Sequence, residues 1–484
     1  MQRLAITLVA VAVTLAACSD PSSDADNEAT ATTAATVAPD AAGIDDDLGD
    51  EATSLEIAAE PRTFGPAPEA PDGPLDPALV DAARVVIAQR EIEQRFDANT
   101  DEALATIGAS GDPRMAWWLT DLLRVTASRE TATAIAGAFE ALTGVTIEPF
   151  TGWPDAVDHL IAWDVPAPPE YLELKRPLYL SIDQRWQPLM PDDSAIDWRL
   201  VSWGGVLVDD RPYGETDSPC DCIPAADDPA VTDAATGDEW LEDDTVVFGI
   251  EIDGKARAYP RSIMEVREMV NDTLGGRDFA MPYCTLCGSS QVFFTDGADG
   301  FERPVMRTSG LLSRSNKVMY DVRTNSVFDT FLGAAVSGPL WEAGVVLPQH
   351  SVIVTTWAEW KADHPDTTVL AIEEALGRPD SDLRNTRDAD GPIFPIGEVD
   401  DRMPVQASVL GVVAPDGTPI AFDAAQARKA LEQGDTVSTL GISLVLDGGG
   451  LRAVDVDGND VPSHEAFWFA WSQFHPQTDL WPES

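Results

Sequence analysis

One spelling occurs twice in this chain, far apart: Trp357-x-x-Trp360-x-x-x-His364-Pro365-x-Thr367 and Trp468-x-x-Trp471-x-x-x-His475-Pro476-x-Thr478. On a helix the two tryptophans and the histidine fall on one face and the proline ends the helix, so each copy reads as an aromatic-faced helix that closes a structural unit. Upstream, residues 249–259 (GIEIDGKARAY) pair with 411–422 (GVVAPDGTPIAF), each a strand, an Asp-Gly turn and a second strand. A Pro-x-His precedes each helix, at Pro348 to His350 and at Pro462 to His464. Three agreements in the same order predict two related lobes, 240–372 and 405–482, in which His350 and His464 face each other across a pseudo-twofold axis near a cleft. His364 and His475, beside prolines at helix ends, read as packing or capping residues.

The rest of the chain changes texture by region. Apolar residues at three- and four-residue spacing predict helices over 78–96, 102–107, 114–126 and 130–142, punctuated by Gly111-Asp112-Pro113 and Gly144. This stretch, 77–165, resembles a paired-helix repeat of the HEAT type; a plain helical bundle packed on the next domain is the other reading. Beyond Trp198 short strands and turns take over, with a hairpin over 246–259 and a helix over 261–270. The expected class is therefore α+β: a small helical domain, then a two-lobed, mostly antiparallel β domain with flanking helices.

The chain has five cysteines. Four fall in two tight pairs, Cys220 with Cys222 and Cys284 with Cys287, and the CxxCG of the second pair has three readings. As a zinc knuckle, Cys284 and Cys287 need two more ligands, which Cys220 and Cys222 supply, and zinc or iron is the implied metal. As a redox centre, the first thiol gains reactivity from a helix N-terminus, but 289–294 reads as a strand, so that activation is absent. As structural disulfides, a bridge from the 220 region to the 284 region closes a loop of about sixty residues and contributes about 4 kcal/mol in the chain-entropy model. The second lobe offers LVLDGGG, 444–450, where the first has PYCTLCG, 282–288, so chemistry is expected in the first lobe.

The runs EIDGKARAYPRSIMEVREMVNDTLGG, PYCTLCGSSQVFF, SGLLSRSNKVMYDVRTNSVFD, TTWAEWKADHPDTTVL and AFWFAWSQFHPQTDLW resemble the family known as DUF3179, over about 196–484. The resemblance implies an exported or lipid-anchored bacterial protein with no established activity. Thr285 takes the place of a proline usual in the family's CxxC, and Arg267 that of a histidine before Glu268. Polar residues in the matched motifs, Asn271, Asp272, Ser309, Asn316 and Asp321, are candidates to line a cleft beside the cysteines; satisfying turn backbone is the alternative. The segment 309–321 reads as a loop leading into a strand.

Residues 1–18 have the form of a signal peptide, with Arg3, an apolar run to Leu15 and small residues before Cys18. Leu15-Ala16-Ala17-Cys18 resembles the lipobox of bacterial lipoproteins, in which the cysteine takes a diacylglycerol; loss of Cys18 on ordinary cleavage is the alternative. Lipidation also accounts for the odd thiol in an exported chain, so the expected address is outside the cytoplasm, anchored to the cell membrane. Residues 19–76, rich in Ala, Thr, Asp, Glu and Pro, read as a disordered tether. A net charge of -52 repels phosphate backbones, which argues against nucleic acid as a partner. The leading functional expectation is a binding or structural lipoprotein with a cysteine-stapled cleft, and an extracytoplasmic thiol-redox or metal-dependent enzyme using Cys284 and Cys287 is the alternative. A protein partner docked on the helical domain and a small-molecule ligand of unknown identity are the remaining expectations, and no nucleotide loop, GxSxG elbow or HExxH supports a common hydrolase or NTPase.

Overall fold

The computed structural model describes residues 63–93, 98–216, 219–297, 300–377 and 392–482, all within one unit, Ile57–Ser484. The signal peptide, Cys18 and the tether as far as residue 62 lie outside the described residues. The end of that tether is docked, contrary to the sequence expectation: Leu75 is buried, the Gly73 carbonyl accepts from Arg114 and the Phe64 carbonyl accepts from Trp163 Nε1. A single apolar anchor and backbone acceptors suffice to hold a segment whose composition alone predicts disorder.

Six helices follow: Pro77–Glu93, Ala98–Ala109, Met115–Arg124, Arg129–Thr143, Trp153–Ala162 and Tyr171–Leu180. The fourth starts on Ser128, whose side chain accepts from the Thr131 N–H, and stops on left-handed Gly144, as Ser and Gly do at helix ends. The helical run extends beyond 165, because Pro177 inside the last helix masks it in the sequence. Trp117, Trp118, Leu119 and Leu122 fill a core that continues without a break into Val201, Leu311, Val318 and Val327 of the first sheet. Helices and sheet therefore share one interior.

The duplicated spelling becomes duplicated geometry. In the first lobe the strands Ile353–Thr356, Val246–Ile252, Lys255–Pro260 and Thr368–Leu370 lie side by side, the last pair parallel and the others antiparallel. In the second lobe Ser463–Phe467, Ser408–Val413, Pro419–Asp423 and Asp479–Trp481 repeat that order and those directions. The parallel crossover needs a connection on one face, and the helices Trp357–Asp363 and Trp468–Phe474 provide it. Within each, the inner tryptophan donates its indole N–H to a threonine, Trp360 to Thr367 and Trp471 to Thr478, both at 2.9 Å. The histidine stacks on that indole, with ring centroids 3.9 Å apart for His364 and 4.1 Å for His475. Gly249 and Gly411 are required for this packing: a Cβ on either stands 2.3 Å and 2.1 Å from the tryptophan ring.

Two expectations about the duplication fail. The Pro-x-His pairs are not equivalent, because Gly249 faces Ile353 whereas Gly411 faces His464 in the same register. His464 thus stands where the first lobe has Ile353, and His350 lies on a separate short strand paired with Val292–Phe294. Their side chains do not meet: His350 Nε2 lies 2.8 Å from the Glu251 carbonyl, while His464 contacts Gln349 and Gln291. LVLDGGG also matches something other than the CxxC. It forms the Gly448-Gly449 turn between Ile442–Asp447 and Gly450–Val454, the counterpart of the Gly275-Gly276 turn between Met269–Leu274 and Arg277–Cys284. All four glycines have positive φ, which is why a Gly-Gly spelling recurs there.

Candidate functional site

Cys284 ends the strand Arg277–Cys284, and Thr285 to Gly288 turn the chain into Ser289–Ser290, which pairs back with Ser289 opposite Cys284. Left-handed Gly288 lets the turn press against Phe467 of the second lobe, whose N–H donates to the Cys287 carbonyl at 2.8 Å. Both thiols are buried and unbridged. They share one acceptor, the Ser315 carbonyl, at 3.4 Å from Cys287 Sγ and 3.8 Å from Cys284 Sγ.

Beside them sits a buried ion pair. Glu268, left-handed at φ 49° where the helix Arg261–Arg267 gives way to strand, holds Lys317 Nζ at 2.9 Å by its carboxylate and 2.6 Å by its carbonyl. Thr285 Oγ1 donates to the same carboxylate at 3.2 Å, which gives this departure from the family's proline a partner. Arg267 turns away to Glu374, at 2.6 Å, so the position where the family usually has histidine does not face the thiols in this chain. Burial opposes ionisation of Cys284, yet the Cys287 thiol, the Lys317 ammonium and the Lys317 N–H outweigh both burial and Glu268, and hold Cys284 below the ordinary thiol value. Ser289 Oγ, Ser290 Oγ and Ser315 Oγ are buried there with no hydrogen-bond partner among the described residues, a desolvation cost that a packing role does not explain.

The expected convergence of four thiols is overturned. Cys220 and Cys222 are joined to each other, so no bridge reaches the 284 region and no sixty-residue loop is closed. Their sulfurs lie within 4.8 Å of an Asp209 oxygen, the one group of three or more possible metal ligands among the described residues. Asp209 is already engaged by Arg211 Nε and Nη2 and by the Ala225 N–H, and a disulfide leaves no thiolate to bind. Zinc or iron at that cluster requires the bridge to be reduced.

Of the polar candidates, four serve the framework. Asn271 clasps the Met306 backbone in both directions and donates to Asp227; Asp272 accepts from Arg257 and Tyr259. Ser309 donates to the Val318 carbonyl where the register shifts, and Asp321 caps the turn by accepting from the Val305 and Thr324 N–H groups. Asn316 differs: it is buried, its Oδ1 has no partner, and it lines a cavity of about 270 Å³. The segment holding it is a hairpin, Met306–Ser313 and Asn316–Asp321 turning on left-handed Arg314, where the sequence predicts a loop. Gly310 and the bulge between Thr308 and Leu312 disguise the first strand. Sequence reasoning also passed over Arg314, Lys317 and Asp329, although all three lie in the matched run 309–329; the partners of Arg314 and Lys317 are distant in sequence.

Residues 220–458 match the family model described as Protein of unknown function (DUF3179). The match is narrower than the resemblance drawn from the sequence and stops before the Trp468–Phe474 helix that completes the second lobe. No curated protein and no solved structure matches the chain. No helix among the described residues is long and apolar enough to cross a membrane.

Proposed function

From the premise that this chain carries a DUF3179 domain, we propose that it is an exported, lipid-anchored envelope protein whose Cys284 and Cys287 cycle between dithiol and disulfide. The observation that carries the reading is the shared Ser315 carbonyl, which brings both sulfurs to one point beside the Glu268–Lys317 pair. The Cys220–Cys222 bridge supports an oxidising compartment. Cys284 is 2 % and Cys287 0 % exposed, so a protein thiol cannot reach them and the oxidant must be small. A hydroperoxide meets that condition.

The step balances as follows. The Cys284 thiolate attacks one oxygen of hydrogen peroxide, forming a sulfenic acid and releasing the other oxygen as hydroxide; the Cys287 sulfur then attacks Cys284 Sγ, breaking the new S–O bond and displacing that oxygen as water. The two thiol protons leave in the two waters formed. Lys317 stabilises the first thiolate, and Glu268 fixes Lys317 in place.

Cysteine mapping by mass spectrometry on full-length protein, purified from membranes without reductant, tests this. Peroxide is expected to convert Cys284 and Cys287 together into one disulfide that dithiothreitol reopens, while Cys220–Cys222 is unchanged. Cys287→Ser should stall as a dimedone-trapped Cys284, and Lys317→Met should move the pH profile of Cys284 alkylation upward. Thiols that stay alkylatable at peroxide levels oxidising free glutathione, or that overoxidise singly, overturn the proposal. The anchor has its own check: Cys18→Ser should shift the protein from the membrane fraction to the soluble one, and an unchanged distribution removes lipidation. A second reading, zinc or iron at Asp209, Cys220 and Cys222, predicts about one metal per chain only after reduction of their bridge.

A further inference from the structure

The cavity of about 270 Å³ lies where the segment around Trp198 meets the hairpin turning on Arg314 and the end of the Trp468–Phe474 helix. Its size is at the small end of the range for small-molecule sites. Most of its wall is apolar, with Leu189, Ile196, Val318 and Phe474 among the lining residues. Of the polar groups on that wall, Lys317 is paired with Glu268 and Asp197 with Arg199, whereas four others are incompletely used.

Arg314 donates through Nη1 to the Gln473 carbonyl at 2.9 Å, but its Nε is buried without a partner and, among the described residues, it makes no ion pair. Asp329 receives the Phe331 and Leu332 N–H groups on Oδ1, which leaves Oδ2 without a partner among the described residues. Asn316 Oδ1, on a side chain 2 % exposed, and Trp198 Nε1, on one 8 % exposed, also have no partner among the described residues. Burial lowers the Arg314 guanidinium from its ordinary value and raises the Asp329 carboxyl, the response of charges that lack adequate compensation. A cation and an anion on one cavity wall normally pair, because a charge removed from water is costly alone; Arg314 and Asp329, both half-buried, attract each other. Here they line the same cavity without a salt bridge between them.

We propose that this cavity binds an apolar α-amino acid as its zwitterion. The ligand carboxylate answers Arg314 and Trp198 Nε1, which are donors. The ligand ammonium answers Asp329 Oδ2 and Asn316 Oδ1, which are acceptors, and the apolar side chain lies among Leu189, Ile196, Val318 and Phe474. A ligand with one charge satisfies half of this set and leaves the other half desolvated. The proposal does not depend on thiol chemistry at Cys284 and Cys287.

Calorimetric titration of the full chain with L-phenylalanine, 3-phenylpropanoate and 2-phenylethylamine tests it. Phenylalanine is expected to bind at least tenfold more tightly than either single-charge analogue. Arg314→Gln and Asp329→Asn should each weaken it at least tenfold, and Asn316→Leu, which removes an ammonium acceptor at nearly constant shape, should weaken it to a similar degree with the melting temperature kept. Cys284→Ser should leave the affinity unchanged. Absence of binding by all three compounds, equal binding by an analogue, or indifference to both charge-removing variants in folded protein overturns the proposal.

Discussion

Lys175→Met should destabilise the protein by about 3–5 kcal/mol, far more than any change at a surface ion pair. Lys175 Nζ is buried and donates to Asp121 Oδ1 at 2.8 Å, to the Trp198 carbonyl at 2.9 Å and to the Val201 carbonyl at 2.6 Å. Tyr171 and Tyr179 donate their hydroxyls to the same carboxylate, at 2.7 and 3.1 Å. Burial raises the Asp121 carboxyl and lowers the Lys175 ammonium, so each tolerates its charge only because the other is present. Methionine fills the volume of the lysine stem but leaves a carboxylate in the core without its counter-charge and takes one donor from each of two carbonyls, which still accept from the Val201 N–H and the Tyr179 hydroxyl. Arg84 and Glu173 make the useful contrast: their 2.6 Å contact is more than half exposed on both sides, and Arg84→Ala should leave the unfolding midpoint close to that of the parent chain. Urea unfolding of both variants reads the difference, and a Lys175→Met midpoint matching that of Arg84→Ala sinks the argument. Because Lys175 holds the Trp198–Leu200 turn, the same substitution should also weaken any ligand of the neighbouring cavity.

Which parts of this were legible depends on the range of the interaction that decides them. The aromatic helices were readable because their Trp, Trp, His and Thr lie within one helix and its exit, where spacing maps directly onto contact. The hairpin Val246–Ile252 to Lys255–Pro260 was readable for the same reason, its Asp253-Gly254 turn being local. By contrast, Glu268 meets Lys317 and Thr285 only because three strands converge, and no spacing announces that. Arg314 looked like loop because a glycine and a bulge interrupt the alternation before it. The cysteines were singled out by type, but their pairing is a tertiary fact: one pair closed on itself, and the other settled in a different core with Phe467 and Trp468. His464 is misassigned by the shared Pro-x-His spelling, because strand register gives its place to Ile353 in the sister lobe.

That placement makes His464 the centre of an expected acid transition. The ring is buried, with Nδ1 2.8 Å from Gln349 Nε2 and Nε2 3.3 Å from the Gln291 side chain, both from the first lobe. With the Gln349 amide donating to Nδ1, the neutral ring carries its proton on Nε2, and turning the Gln291 amide gives its unpartnered Oε1 that proton to accept. A second proton on Nδ1 would meet an amide donor in a dry site, which is why burial lowers His464 to about 3; burial likewise lowers His475 to about 4. The unfolded chain takes up these protons near pH 6.5 and the folded chain does not, so stability is level above neutrality and falls as pH drops below 6.5. At about 1.4 kcal/mol per unit, His464 alone costs roughly 3 kcal/mol by pH 4.5 and roughly 4–5 kcal/mol near pH 3. Carboxylates whose hydrogen bonds to arginine outweigh their burial, such as Asp183 and Asp400, weaken the fold only near and below their ordinary values. Asp121 and Asp329, raised by burial, take up protons in the folded chain first and offset part of the loss, so the difference between variant and parent isolates the histidine. His464→Gln removes the larger of the two contributions. Its unfolding free energy between pH 7.5 and 4.5 should fall by roughly 3 kcal/mol less than that of the parent chain, and parallel curves would show that the ring takes its proton without opening the contact between the lobes.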